Sequence, residues 1–441
     1  MKRRTLEDLK RVLTRRQFLQ VSGAVTGAAT MNLSFVPRVF AGGSTQKVLV
    51  YVFLRGGIDG LALLPPIDGP DYGHLMDARR EGRTRVDIND SDPGRRPLTM
   101  PNGQGLGFHP YLGNGGLRSV YFNGGSTDGG MAIVQAVGHP PGTFDAQEQI
   151  ELGQPLVVDG TGQGLPGNGW LTRYLATSPG VPAPGAIFTA MVSGSTPPVS
   201  LGGWSDVATL DSPDNFSPNT GTFGSTHLAT LNSLYGGAGE LDIAAGAALD
   251  AIDLINSLDL DNYTPGGGVT YPDTGEGRDF QLIAQLIRQN LGIATATVDI
   301  GGWDTHNNQN AFGGPFGDNV RDLSEALTAF YRDLEGAGYI DDVAIVVQSE
   351  FGRQVKENAS FGTDHGLGNP MFVLGAGVNG RQVYGPSQGI APADRIGDSL
   401  VPQTDFRNVL AEVAGGLLGH PDVEGIFADP DFTYTPVGFS T

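Results

Sequence analysis

Apolar segments alternate with amphipathic ones along much of the chain. The first, residues 46–54 (QKVLVYVFL), is rich in β-branched residues and almost wholly apolar after its first two positions. Such a run is typical of a strand that is buried on both faces of a sheet. Four further segments share this composition, namely 131–137, 294–300, 343–348 and 371–374. We predict that these segments are strands of a buried sheet.

Three segments have the periodicity of helices with one apolar face. Residues 279–291 place their large apolar side chains on one side, and residues 319–335 do the same before Gly336, which is suited to end a helix. Residues 406–418 form a third predicted helix. Because apolar strands alternate with such helices, the pattern predicts an α/β fold, a sandwich around a mostly parallel central sheet.

The middle of the chain has a different pattern. Residues 199–239 are rich in Gly, Ser, Thr and Asp with weak periodicity, and residues 262–277 form a loop rich in Gly and Pro. We interpret residues 180–275 as a Gly-rich insertion or cap on the main sheet. The sequence therefore predicts a single α/β domain over residues 42–441.

The sequence of the first forty residues is typical of an export signal and not of a folded element. Residues 14–19 (TRRQFL) match the twin-arginine motif, and a weakly apolar stretch follows at 21–36. Residues 39–41 (VFA) offer a cleavage point between small residues. A basic amphipathic helix is the alternative interpretation. We expect residues 1–41 to be a signal peptide, the export machinery to be a partner, and the mature protein to be periplasmic or secreted.

Charge and composition exclude several classes of function. The chain has 27 basic and 47 acidic residues, a net charge of -20, which repels phosphate backbones and makes nucleic acid an unsuitable partner. No apolar stretch has the length of a membrane span, so we expect no integral membrane segment in the mature chain. Because the chain has no Cys, a metal must be bound by His, Asp, Glu, Asn or backbone oxygen.

Polar clusters lie at or near the ends of predicted strands, where ligands bind in open α/β sheets. They occur at residues 55–60 (RGGIDG), 301–306 (GGWDTH), 349–353 (SEFGR) and 362–366 (GTDHG). Their candidate metal ligands are Asp59, Asp304, His306, Glu350, Asp364 and His365. Carboxylates with imidazoles are the donor set of Zn, Mn or Mg sites that lack thiolates. Jointly, these residues predict a metal or catalytic site.

Each candidate ligand also has a structural interpretation. Asp59 could hold a local turn, Asp304 could cap the segment that follows it, and His306 could be a surface histidine. Glu350 and Arg353 could pair with each other. The other five histidines have no neighbouring carboxylate after a strand, and we interpret them as structural: His74, His109, His139, His227 and His420.

Thr143 is the candidate nucleophile. It is predicted to lie at the N-terminus of a helix that continues to about residue 151, where free amides and the helix dipole stabilise an anion. An alkoxide at Thr143 would need a metal to lower the pKa of the hydroxyl. A helix-capping role explains a threonine at this position equally well.

Several of these motifs resemble one family of secreted bacterial proteins. The chain is similar to the DUF1501 family, which is grouped with the alkaline phosphatase and sulfatase superfamily. The resemblance runs nearly from end to end. It is carried by segments 53–61 (FLRGGIDGL), 167–174 (GNGWLTRY), 301–306, 349–353, 363–366 and 404–407 (TDFR).

The resemblance implies an alkaline-phosphatase-like three-layer sandwich with metals at strand ends. It also implies that a Ser or Thr nucleophile attacks a phosphate or sulfate ester. Asp59 resembles the first-strand metal ligand, and Asp304 with His306 resembles a carboxylate–imidazole pair. Glu350 stands where the superfamily has an Asp-His pair. Asp364 and His365 resemble that pair displaced into a loop, or, alternatively, His365 resembles a histidine ligand that occurs late in the superfamily's sequences. Relatives have Ser-His-Phe where this chain has residues 142–144 (GTF).

From these observations we expect an exported hydrolase of a phosphate or sulfate ester. One or two divalent ions, Zn, Mn or Ca, would activate Thr143, and Arg55 or Arg353 would bind the ester oxygens. The substrate would be a small molecule or a polymer. The alternative is a binding or surface protein that is stabilised by metal and has no catalytic activity.

Overall fold

The computed structural model describes part of the chain. It covers residues 47–113, 115–122, 130–139, 168–183, 186, 189–210, 263–375, 377–387 and 389–440, with isolated positions between 230 and 249. The predicted signal peptide, Thr143 with its helix and much of the 180–275 segment lie outside the described residues.

The described strands number fifteen, and most belong to one sheet. They are β1 (Val48–Leu54), β2 (Leu98–Thr99), β3 (Gly107–Phe108), β4 (Met131–Gly138), β5 (Ala190–Ser193), β6 (Val207–Leu210), β7 (Thr295–Ile300), β8 (Val343–Ser349), β9 (Arg353–Glu357), β10 (Thr363–His365), β11 (Asn369–Gly375), β12 (Gln382–Tyr384), β13 (Arg395–Ile396), β14 (Ser399–Leu400) and β15 (Thr404–Asp405). The central sheet has the order β12-β4-β11-β8-β1-β7-β5-β6, and β15 pairs with β4. The five predicted strands all lie in it.

Most strand pairs of the central sheet are parallel, which confirms the predicted architecture. β1 pairs in parallel with β7 and β8, and β5 does so with β6 and β7. The exception is β11, which is antiparallel to both β4 and β8. Its amino end therefore lies at the same edge as the carboxyl ends of β1, β7 and β8.

The described helices are α1 (Gly60–Leu63), α2 (Gly69–Ala78), α3 (Leu117–Phe122), α4 (Trp170–Thr177), α5 (Gly275–Arg288), α6 (Pro315–Gly336) and α7 (Phe406–Glu412). α5 begins four residues before the predicted start, because the Thr274 hydroxyl accepts a hydrogen bond from Gly277 N and caps the helix. α6 likewise begins earlier, with Pro315 in its first turn. A π turn, Val413–Leu417, continues α7.

The two faces of the sheet are covered by different helices. Val50 and Val52 of β1 pack in a core with α5 and α6, whereas Leu49 and Tyr51 belong to a second core with α4 and α7. Alternate side chains of a strand point to opposite faces, so one buried strand serves both cores. These helix, sheet and helix layers form the three-layer sandwich that the sequence predicts.

Part of the 180–275 segment belongs to the central sheet. β5 and β6 come from this segment and continue the sheet beyond β7 in the same direction. Residues 190–193 and 207–210 of the segment are therefore components of the central sheet. Its strands are four residues long and contain Ser or Thr, so the hydrophobic pattern that identifies the central strands is weak here.

The loops after β1 and β7 are packed backbone against backbone. Gly56 has a φ of 121°, and a Cβ atom there would lie 2.4 Å from Asp304 N. Only glycine permits both this conformation and this approach.

Within the described parts of the chain, none of the helices combines the length and the apolar character needed to cross a membrane.

Candidate metal centre

Asp304, His306 and His365 meet at the edge of the sheet and form the candidate metal triad. Each offers one ligand atom, and these atoms lie within 4.8 Å of one another. The side chains are 58%, 36% and 50% exposed, so the triad faces solvent. A shallow and accessible cluster of this kind can be reached by an ion and by a second ligand.

Two different elements bring the triad together. Asp304 and His306 follow β7, and Trp303 beside them is fully buried and anchors the loop in the core. His365 ends β10, which forms a hairpin with β9. This hairpin comes directly before β11 in the chain. Because β11 runs antiparallel to β8, its amino end, and with it the hairpin, lies at the edge of the sheet where β7 ends.

One nitrogen of each triad histidine lies close to the same oxygen of Asp304. Asp304 Oδ1 lies 3.1 Å from His306 Nε2 and 3.0 Å from His365 Nε2. The other ring nitrogen of His306, Nδ1, lies 2.9 Å from Asp364 Oδ1. If Nε2 binds a metal, Nδ1–H can donate to Asp364, which is the usual partner arrangement of a metal-bound histidine. The donor set and its outer partner therefore fit a divalent cation.

Both carboxylates at this site are held in the charged form. Burial alone would raise the pKa of Asp304, but hydrogen bonds from Arg353 and His365 outweigh it, and the pKa is lowered from its ordinary value. The pKa of Asp364 is also lowered, first by the hydrogen bond from Asn358 and then by that from His306. Charged carboxylates are the form that can bind a cation.

Arg353 contacts the triad from the protein interior, through Asp304. Its side chain is fully buried and donates to the carbonyl oxygens of Gly57, Thr363 and Trp303 at 2.7, 2.8 and 3.0 Å, and to that of Gly56. It also donates to Asp304 Oδ1 at 2.7 Å. Because each guanidinium nitrogen is engaged inside the protein, Arg353 joins the strand-end loops instead of presenting an anion-binding group.

Asp59 does not join the triad. It is buried, and its carboxylate pairs with Arg79 through contacts of 2.7 and 2.9 Å. It also accepts hydrogen bonds from Gln309 Nε2 at 2.5 Å and from Ala62 N at 3.2 Å, where it caps α1. The structure thus gives Asp59 a buried cationic partner within the chain.

Glu350 also has partners in the chain. Its Oε1 accepts from Gly56 N at 2.7 Å, and its Oε2 accepts from Gly57 N at 3.3 Å and from the Ser349 hydroxyl at 2.9 Å. Glycines in left-handed conformations make such anion-binding backbone nests. The bound anion here is the buried carboxylate of Glu350 itself, which fixes the turn after β1.

Two of the remaining predicted site residues, Arg55 and Asp364, lie in the part of the chain that the structure describes. Arg55 Nε binds both carboxylate oxygens of Asp299 at 3.0 and 2.9 Å. Asp364 is an outer partner of the site through His306, as described above. Thr143 belongs to the part of the chain that the structure does not describe.

Sequence patterns did not identify Arg79, Gln309 or Asn358 as neighbours of the site. Arg79 lies at the end of α2, and Gln309 lies in the loop between β7 and α6. Asn358 Nδ2 donates to His306 O at 2.9 Å and to Asp364 Oδ1 at 3.0 Å. None of them directly follows a strand of the central sheet, so the strand-end criterion could not find them.

A family model described as a protein of unknown function, DUF1501, matches residues 145–406. This range is more than half of the chain and includes the whole triad. The chain belongs to the DUF1501 family. The DUF1501 membership predicted from the motifs is thereby confirmed over residues 145–406.

Solved structures similar to this DUF1501 protein include Ps i-CgsB in complex with k-i-k-neocarrahexaose. That similarity has 10% identity and a TM-score of 0.37, over 88% of this chain and 74% of the other. The PsFucS1 sulfatase from Pseudoalteromonas sp. is similar with 11% identity and a TM-score of 0.33, over 97% and 77%. Similarity this low carries no argument about activity. No curated protein matches the chain.

Proposed function

We propose that this DUF1501 protein is an exported hydrolase of a phosphate or sulfate ester that depends on one divalent metal ion. The observation that carries the proposal is the convergence of Asp304, His306 and His365 at the solvent-facing edge of the sheet. Two imidazoles and a carboxylate are the protein ligands of catalytic zinc sites that keep further coordination positions open.

The donor set also favours some metals over others. Imidazole nitrogen suits Zn and related transition metals, whereas Ca takes oxygen ligands. A bound ion of this kind would polarise an ester oxygen or activate a nucleophile. The proposal of a single ion follows from Asp59 and Glu350, since the carboxylates that a second ion would need are bound to Arg79 and to backbone amides.

The chain's own residues have separate tasks in this proposal. His306 is held between Asp304 and Asp364, which fixes the orientation of its ring. Arg353 holds Asp304 from the buried side. Thr143 is proposed as the nucleophile. Phe351 packs against His365 with ring centroids 4.4 Å apart, so it limits the approach to the triad from one side.

A second candidate function is a metal-stabilised binding or surface protein without catalysis. The observation that favours it concerns the arginines that were expected to hold the ester. Arg353 is buried and fully engaged, and Arg55 is paired with Asp299. An ester would therefore need other cationic partners, of which the metal is one.

The deciding experiment measures metal and turnover on the same preparation. The full chain, folded in the cytoplasm and purified without chelator, is analysed by elemental mass spectrometry and then tested with phosphate and sulfate esters. We expect one equivalent of metal per chain, hydrolysis of an ester, and loss of hydrolysis in Thr143→Ala with the metal retained.

Three results would each contradict one part of this proposal, namely the metal centre, the catalytic activity or the nucleophile. A metal-free protein that takes up no added ion would exclude the metal centre. Bound metal without hydrolysis of any ester would favour the binding protein. Full hydrolysis by Thr143→Ala would exclude that nucleophile while leaving the metal centre intact.

A further inference from the structure

Gln309 is a fully buried amide behind the candidate metal triad. Its Nε2 donates to Asp59 Oδ2 at 2.5 Å. Its Oε1 accepts from two hydroxyls, those of Thr305 at 3.0 Å and Thr363 at 2.7 Å. Because the amide nitrogen can only donate and the oxygen can only accept, these partners fix one orientation of the side chain.

The two threonines belong to the two segments that carry the metal ligands. Thr305 lies between Asp304 and His306, and Thr363 lies two residues before His365. Both threonines are buried, with 4% and 0% exposure. A single carbonyl oxygen of Gln309 therefore joins the loop after β7 to the β9–β10 hairpin.

On its other side, Gln309 is attached to a rigid ion pair. Asp59 follows β1 and is bound in a bidentate manner by Arg79. Arg79 also donates to Thr84 O at 2.7 Å and to Val355 O at 2.9 Å, so β9 is tied to the same group. Buried and fully satisfied polar networks of this type hold one arrangement of the segments that they connect.

We propose that Gln309 is a positioning residue that sets the distance between the two ligand-bearing segments, with the Asp59–Arg79 pair as its anchor. It touches neither the ion nor the substrate and acts through Thr305 and Thr363. This inference rests on the proposed metal centre. Loss of partners beyond the direct ligands lowers metal affinity by about 10–100-fold in known sites, and we expect a loss in that range.

The test uses Co²⁺ as the probe and the full chain as the protein. Visible absorption reports both the affinity of Co²⁺ and the geometry of its ligands. Gln309→Met is compared with Gln135→Met, a matched control in β4 whose buried amide binds Gln104 and Gly385. We expect both variants to lose stability in thermal unfolding. Only Gln309→Met should lose affinity by about 10–100-fold and change the Co²⁺ spectrum.

Conservative variants keep the test decisive if Gln309→Met does not fold. Thr305→Val and Thr363→Val each remove one hydroxyl at nearly constant volume, and Thr305→Ser and Thr363→Ser keep it. We expect weaker Co²⁺ binding in the valine variants and near-normal binding in the serine variants. The effects of Thr305→Val and Gln309→Met should be less than additive, because both remove the same hydrogen bond.

The outcomes separate this inference from the function on which it rests. Wild-type affinity and spectrum in Gln309→Met, or equal losses in Gln135→Met, would overturn the positioning role while the metal centre stands. Valine and serine variants that behave alike would overturn it in the same way. Absence of Co²⁺ binding by the wild-type protein would overturn the metal centre, and the positioning role with it.

Discussion

The buried Asp59–Arg79 pair and the exposed Asp304–His306–His365 triad are two solutions for a carboxylate at the end of a strand. Asp59 follows β1 and Asp304 follows β7, its direct neighbour in the sheet. Asp59 is buried and holds the guanidinium of Arg79, whereas the side chain of Asp304 is 58% exposed and faces two imidazoles. Asp304 also pairs with a buried arginine, Arg353. Exposure to solvent, and not an arginine partner or the position in the sheet, thus distinguishes the carboxylate that an ion can reach.

The largest effect is expected from breaking the buried pair. Arg79→Met leaves the Asp59 carboxylate uncompensated in the interior, which typically costs about 3–5 kcal/mol of stability. Arg80→Met is the matched control, because Arg80 forms an exposed pair with Asp77, and such pairs contribute about 0–1 kcal/mol. Urea unfolding of both variants measures the difference. Equal losses would show that burial of the Asp59–Arg79 pair does not govern its contribution.

A buried histidine sharpens the contrast with the exposed ones. His109 is buried, Tyr111 N donates to its Nδ1, and its Nε2 donates to Ala311 O. Desolvation lowers its pKa from 6.5 to about 4, so the unfolded chain takes up a proton at a higher pH than the folded chain. This contribution to stability is present above pH 6.5 and is lost as the pH falls towards 4. The loss amounts to about 3 kcal/mol.

The measurement for His109 is the free energy of unfolding as a function of pH, with chelator present to remove any metal. His109→Gln should lower stability at neutral pH and flatten the profile between pH 6.5 and 4 relative to wild type. A variant profile that keeps the wild-type slope would assign the acid sensitivity to other groups.

Removal of one triad histidine is expected to abolish metal binding without unfolding the protein. His365 is half exposed and its ring contacts Asp304 at the surface, so His365→Ala should leave the melting temperature of the metal-free protein nearly unchanged. Metal affinity should fall by more than about 100-fold, beyond the range of outer partners. His74→Ala is the control, and isothermal titration with Zn²⁺ is the measurement. Unchanged affinity in His365→Ala would remove it from the site.

The smallest effect is expected at the outer carboxylate. Asp364→Asn keeps an oxygen that can accept from His306 Nδ1 but removes the charge that strengthens this contact. We expect Zn²⁺ affinity to fall by about 10-fold, the lower end of the range for such partners. Asp77→Asn, an exposed change in α2, serves as the control. A loss as large as that of His365→Ala would make Asp364 a direct ligand.

Much of the fold follows from the hydrophobic pattern because the central strands are buried on both faces. The pattern is clear in β1 and β8, in which apolar residues predominate, whereas β7 (TATVDI) mixes apolar residues with Thr and Asp. It is weak in β5 and β6, at the edge of the sheet. The strands of the β9–β10 hairpin carry charged side chains and pair with each other outside the central sheet, so no apolar run identifies them.

The candidate site could be predicted only in part for a related reason. A scarce histidine close to a carboxylate, at or near the end of a predicted strand, is visible in the sequence, and this signal identified Asp304, His306 and His365 as candidates. The sequence does not show which distant cation reaches a given carboxylate. Arg79 reaches Asp59 from the end of α2, and this contact depends on tertiary packing that no local pattern encodes.

The central position of β1 also bears on when the protein can fold during its synthesis. β1 is the first strand of the described residues, yet it pairs with β7 and β8, so Leu49 lies opposite Thr295 and Val48 opposite Val343. At 5–20 residues per second, a ribosome needs roughly 10–50 seconds to make the intervening chain. Throughout that interval β1 lacks both neighbours in the central sheet. β1 therefore exposes its apolar side chains in the nascent chain during this time, and the edge that carries the triad can form only near the end of translation.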